Sequence, residues 1–121
     1  MTSQNKPNGY CEIALLLDYS ERIYQEYMRS GKKFIYAKIL RNVNERIYEN
    51  LINYSCHLQP QVRNCAVELM LHLDVWRAIW DSEFETQKPK LRDVFTFSNE
   101  VNFPRKYVDS LLSELACLSD L

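Results

Sequence analysis

The chain has 121 residues, 46% of them apolar and 26% charged, with a net charge of −1 at neutral pH. That length suits one domain with a single core, and that balance excludes an intrinsically disordered chain. With only two glycines and four prolines, the sequence holds few breakers, which favours long helices over many short strands.

Residues 1–9 are polar and lack the apolar run of a secretory signal. They are expected to be a flexible N-terminal segment before a single domain over 10–121. No run of 18 or more apolar residues occurs, so no membrane span is expected. The expected location is cytoplasmic, with Cys11, Cys56, Cys65 and Cys117 as reduced thiols.

The first helix is predicted over 10–30. Ile13, Leu17, Tyr24 and Tyr27 form its apolar stripe, with Leu16, Ile23 and Met28 beside it. Gly31 follows a basic last turn and marks the stop. A second helix over 33–57 places Tyr36, Leu40, Val43, Ile47, Leu51, Tyr54 and Leu58 at steps of three and four. Pro60 closes it, because the residue before a proline is driven out of the helical region.

The third helix, over 61–84, carries Val62, Ala66, Leu69, Leu73, Trp76, Trp80 and Phe84 on one stripe. A second line, Val67, Leu71, Val75 and Ala78, falls on roughly the opposite side at about 100° per residue. Two apolar faces imply either a neighbouring subunit on the second face or a helix buried all round. Residues 85–103 form a long connection holding Pro89, Val94, Phe95 and Phe97. The last helix starts near Pro104 and packs through Val108, Leu111, Leu115 and Leu118. Together these elements predict an all-α, up-and-down antiparallel four-helix bundle.

Antiparallel helices sort the charges. The turn between helices one and two and the connection between helices three and four share one end of the bundle, the top. From 29 to 46 the chain has Arg29, Lys32, Lys33, Lys38, Arg41 and Arg46 against Glu45, a balance of +5. From 88 to 107 it has Lys88, Lys90, Arg92, Arg105 and Lys106 against Asp93 and Glu100, a balance of +3. The remainder therefore carries −9. Phe34, Tyr36, Phe95, Phe97 and Phe103 fall in the same two segments. Cations interleaved with rings suit single-stranded or looped nucleic acid, and they also suit a bundle end that closes its core with rings beneath a soluble rim.

Other chemistries fit less well. The cysteines gather near the bottom, but Cys11, Cys56 and Cys117 leave the core stripe, so four thiolates do not converge on a metal. Glu68 and His72 are four apart and stand alone, whereas di-iron bundles use a glutamate and histidine three apart on each of two helices. Cys56 and His57 are adjacent and point about 100° apart, so they form no nucleophile–base pair. No glycine-rich phosphate loop is present. No enzyme and no cofactor are expected.

The polar lead-in to the second helix (Lys32, Lys33, Phe34, Ile35, Tyr36), the leucine-rich third helix with its arginine (Leu69, Leu73, Trp76, Arg77) and the leucine-rich last helix carry a family likeness. From residue 10 to residue 118 the chain resembles the small four-helix bundles encoded by intervening sequences in bacterial large-subunit ribosomal RNA genes. It is likewise similar to the accessory variability determinant proteins of diversity-generating retroelements. It departs from them where Lys33-Phe34-Ile35 replaces the Phe-Pro that often opens helix two. The resemblance implies a homo-oligomer, often a pentameric barrel, whose basic surface serves RNA or DNA with a reverse transcriptase as partner.

The leading expectation is thus an oligomeric, non-enzymatic bundle. It binds nucleic acid through Arg29, Lys32, Lys33, Lys38, Arg41 and Arg46, and assembles through Val67, Leu71, Val75 and Ala78. The alternative is a protein–protein adaptor or chaperone-like bundle that docks a helical partner on the third helix.

Overall fold

The computed structural model describes residues 9–98 and 104–119. Residues 1–8 of the expected flexible segment, the 99–103 part of the long connection with Phe103, and the side chain of Leu118 lie outside the described residues. Four helices follow in order: α1 Tyr10–Arg29, α2 Phe34–Ser55, α3 Pro60–Gln87 and α4 Arg105–Ser119. Packing joins α1 to α2, α2 to α3, α3 to α4 and α4 to α1, while the diagonal pairs stay apart. This is the up-and-down antiparallel four-helix bundle that the periodicity requires.

Local chemistry explains the helix ends. Gly9 precedes α1 at φ 85°, and its carbonyl accepts the Ile13 N–H at 2.9 Å. A Cβ there would lie 2.3 Å from Tyr54 Cγ, so only glycine lets the chain pass over α2. The C-terminus of α1 closes as a Schellman turn: Lys32 N–H donates to the Tyr27 carbonyl at 2.7 Å and Gly31 N–H to that of Met28 at 3.3 Å. Gly31 and Lys32 both take the left-handed conformation, at φ 81° and 65°. Pro60 occupies the first turn of α3, where its missing N–H leaves nothing unmade.

The core has two storeys. In the lower, aliphatic one, Ile13, Leu16, Val43, Ile47, Leu51, Leu58, Cys65, Ala66, Leu69 and Leu73 meet Val108, Leu111 and Leu115, so all four helices contribute. In the upper one, Ile23, Tyr27, Phe34, Ala37, Leu40, Trp76 and Trp80 meet Phe95, and no residue of α4 takes part. With 15 residues against 28 in α3, α4 is only about 22 Å long at 1.5 Å per residue. It starts near mid-height, and the segment 88–98 fills the fourth corner above it.

Two expectations are corrected by this arrangement. First, α3 runs to Gln87 rather than 84, so the connection begins as helix. Second, the buried seam of α1 is Ile13, Leu16, Ile23 and Tyr27, while Tyr24 is exposed and Leu17 only half-buried. Among the described residues, the short α4 does not cover that flank of α1. Phe34 and Phe95 are buried among other rings, in the core-closing arrangement that the sequence left open beside nucleic-acid stacking. The second line on α3 keeps its predicted direction: Val67, Leu71 and Val75 are 52%, 58% and 39% exposed, and Ala78 is exposed beside them. Among the described residues nothing covers that face, so α3 is not buried all round by them.

Candidate nucleic-acid interface

The top of the bundle is built by the segment 88–98 folding back onto the start of α2. Lys33 provides no side-chain cap for α2, and the first backbone N–H groups of a helix need acceptors. Main-chain carbonyls supply them: Phe34 N–H donates to Asp93 at 2.8 Å and Ile35 N–H to Leu91 at 3.0 Å. Phe95 N–H returns the contact to the Lys32 carbonyl at 2.8 Å, closing an antiparallel bridge between Lys33 and Val94. Gln87 braces the far end, donating to the Thr96 carbonyl and accepting its N–H. Phe95 anchors the whole segment, fully buried against Phe34 and Trp80 with ring centres 5.3 and 5.1 Å away. Its carbonyl accepts the Tyr27 hydroxyl. Burial, reinforced by nearby Tyr24, pushes the Tyr27 phenol up to about 12.

This clip joins two basic stretches. Segments 30–38 and 88–98 together hold Lys32, Lys33, Lys38, Lys88, Lys90 and Arg92 against Asp93 alone. Asp93 is exposed, and its carboxylate accepts the Lys90 N–H at 2.8 Å. Among the described residues, no ion pair engages Lys32, Lys33, Lys38, Lys90 or Arg92. All five are exposed.

The other expected contacts divide. Arg29 is exposed but holds Glu26 at 2.9 Å, which also takes Arg22 at 3.0 Å. Arg41 is clamped by Asp81 through two bonds of 2.8 and 3.1 Å, and its Cζ lies over the Trp80 ring, 5.4 Å from the centre. The Asp81 hydrogen bond holds its guanidinium above the usual arginine range. Arg46 is exposed but lies about 18 Å down α2 from Phe34 at 1.5 Å per residue, away from the top. Arg105 likewise belongs to mid-height, where α4 begins. Sequence position alone could not show that Asp81, forty residues from Arg41, neutralises it.

Two depressions differ in charge. One of about 550 Å³ opens between α1 and α4 at mid-height, with Asp18, Glu21 and Asp109 near Arg105 and His72 above a floor that includes Leu69 and Trp76. Its excess of carboxylates repels phosphate. The other, about 530 Å³, lies at the top and is lined by Lys38, Arg41, Lys90, Asn42 and Asp81 over Phe34, Trp80, Phe84 and Pro89. Cations outnumber acids there. The sequence placed Lys90 and Arg92 at this end but left them out of the binding set, because their closeness to Lys38 depends on the fold-back of 88–98.

At the opposite end, Cys11, Cys56 and Cys117 are exposed and Cys65 is buried, in keeping with their helical phases. Among the described residues, no three histidine, cysteine or acidic side chains gather in a way that could hold a metal ion. No described helix is long and apolar enough to cross a membrane. Comparison with family models, with curated proteins and with solved structures finds no match for this chain.

Proposed function

We propose that this chain is a non-enzymatic, homo-oligomeric helical bundle that binds RNA or DNA through its basic top. The carrying observation is the clip itself. Three main-chain hydrogen bonds and one buried phenylalanine bring Lys32, Lys33, Lys90 and Arg92 together from two distant segments, with Asp93 as the single acid between them. Lys38 extends the patch along α2 and Arg29 lies at its margin, while Arg46 stands apart from it, further down α2. The likeness to intervening-sequence and retroelement accessory bundles supports the same reading and adds a reverse transcriptase or other ribonucleoprotein as the larger partner.

Binding of a fluorescent single-stranded RNA, followed by anisotropy across a salt series, tests the reading. Engagement of four or five phosphates predicts a slope of log K against log salt near −3, at about −0.7 per contact. Reversing Lys32 and Lys33 to glutamate should weaken binding at least tenfold and flatten the slope by more than one. Unchanged affinity in that variant would remove the basis for the proposal.

Assembly rests on Val67, Leu71, Val75 and Ala78, an apolar line along α3 that monomers rarely leave open. In a cyclic pentamer this line meets a different surface of the next subunit. Light scattering should therefore give a multiple of 14.4 kDa, and Leu71→Asp should reduce it to the monomer without altering the helical spectrum. The same exposed line favours a second reading, an adaptor that docks an amphipathic helix of another protein. A monomer or dimer that ignores RNA at moderate salt would select that reading instead.

A further inference from the structure

The clamp on Arg41 suggests a role other than holding phosphate. A guanidinium whose charge is matched by one carboxylate through two hydrogen bonds attracts a second anion less strongly than a free one. What it keeps is a flat surface. Asp81 fixes the side chain through Nε and Nη2 at 2.8 and 3.1 Å, and Trp80 lies against it at 5.4 Å. Trp80 is in turn fixed by its indole N–H, which donates to the Ala37 carbonyl at 3.2 Å. Yet the Arg41 side chain remains 28% exposed and lines the depression at the top of α2 and α3.

We propose that Arg41 is a preset stacking platform for one unpaired base of a single-stranded nucleic acid. The base lies on the guanidinium in the depression beside Phe84 and Pro89, and Lys38 and Lys90 take the adjoining phosphates. Guanidinium planes and aromatic rings are the surfaces on which splayed bases rest. The depression, about 530 Å³, falls within the range of small-molecule pockets. Asn42 and Asp81 on its wall offer a donor and acceptors to the edge of the base. Because the guanidinium is held before the ligand arrives, little side-chain freedom is lost on binding. This inference rests on the nucleic-acid reading above and narrows it to single strands with exposed bases.

The test compares a fluorescent ten-nucleotide oligouridylate with an abasic strand of the same sugar–phosphate backbone, both titrated against the full chain at one salt concentration. Stacking of one base should make the uridylate bind roughly five- to hundredfold more tightly. In Arg41→Lys, which keeps the charge but loses the plane and the two-point clamp, that preference should vanish while affinity for the abasic strand stays the same. Asp81→Asn should shrink the preference, with circular dichroism showing both variants folded. Equal binding of the two strands by the native chain would overturn the platform and leave phosphate binding standing. A preference that survives Arg41→Lys would likewise overturn it. Binding of neither strand would overturn the nucleic-acid reading along with it.

Discussion

Replacing Phe95 with alanine puts the segment 88–98 to its most direct test. The ring is fully buried and lies within 6 Å, centre to centre, of Phe34, Trp80 and Phe97. Burying such a side chain stabilises by about 1.5–3 kcal/mol, and well-placed aromatic pairs add about 0.5–1.5 kcal/mol each. Truncation also leaves a cavity, so a loss of about 3–5 kcal/mol is expected, the usual range for Phe→Ala in a core. The whole fold is worth roughly 6–18 kcal/mol at this length, so Phe95 alone carries a large share. Urea unfolding followed by tryptophan fluorescence is the assay, since Trp80 packs against Phe95 and reports the upper storey directly. The thermal midpoint should fall by roughly 10–20 °C, and RNA affinity should drop in the variant at temperatures where it is still helical. A loss below about 1 kcal/mol would mean that Phe95 does not anchor the segment, and the account of how the basic patch is assembled would fail with it.

Stability should fall as pH rises from 10 towards 12, because native Tyr27 keeps its proton up to about 12 while the unfolded chain releases it near the ordinary value of 10. Tyr27→Phe should be less stable at neutral pH by about 1–2 kcal/mol, through the buried Phe95 carbonyl left without its donor, and its gap from the native chain should close across that window; a gap independent of pH would refute the burial of this phenol. Gly9→Ala should destabilise by at least about 2 kcal/mol in thermal melts, combining left-handed strain with the clash on Tyr54. Gly31→Ala, with open space around it, should cost only about 1 kcal/mol of strain, so equal effects would contradict the geometry. Arg77 bridges Glu45 at 2.7 Å and Asp74 at 2.8 Å on a part-exposed flank. Arg77→Ala should lower stability by no more than about 1 kcal/mol, an effect that shrinks in high salt.

The helices could be read from spacing because each apolar stripe repeats within its own segment. Leu40, Val43, Ile47 and Leu51, or Leu69, Leu73, Trp76 and Trp80, need no knowledge of the rest of the chain to be placed inward. The outward line on α3 was legible for the same reason. The start of α4 near Pro104 was legible too. What could not be read was that the segment 88–98 folds back to fill the corner above α4, with Phe95 standing in for a helix there. The basic residues show the same division. Lys32 and Lys33 are fixed near the turn by local sequence, whereas the neutralisation of Arg41 by Asp81 is a contact across forty residues that no local pattern signals.

The bond from Tyr27 to Phe95 spans sixty-eight positions, and closures of that length come late, after local hairpins have formed. During synthesis α1 and α2 can pair while the later half of the chain is still inside the ribosome. At that stage the start of α2 has neither its carbonyl caps nor Lys90 and Arg92 beside it. A nascent or truncated chain lacking that segment thus has helices but no assembled patch, and the binding proposed for the top would depend on the docking of 88–98.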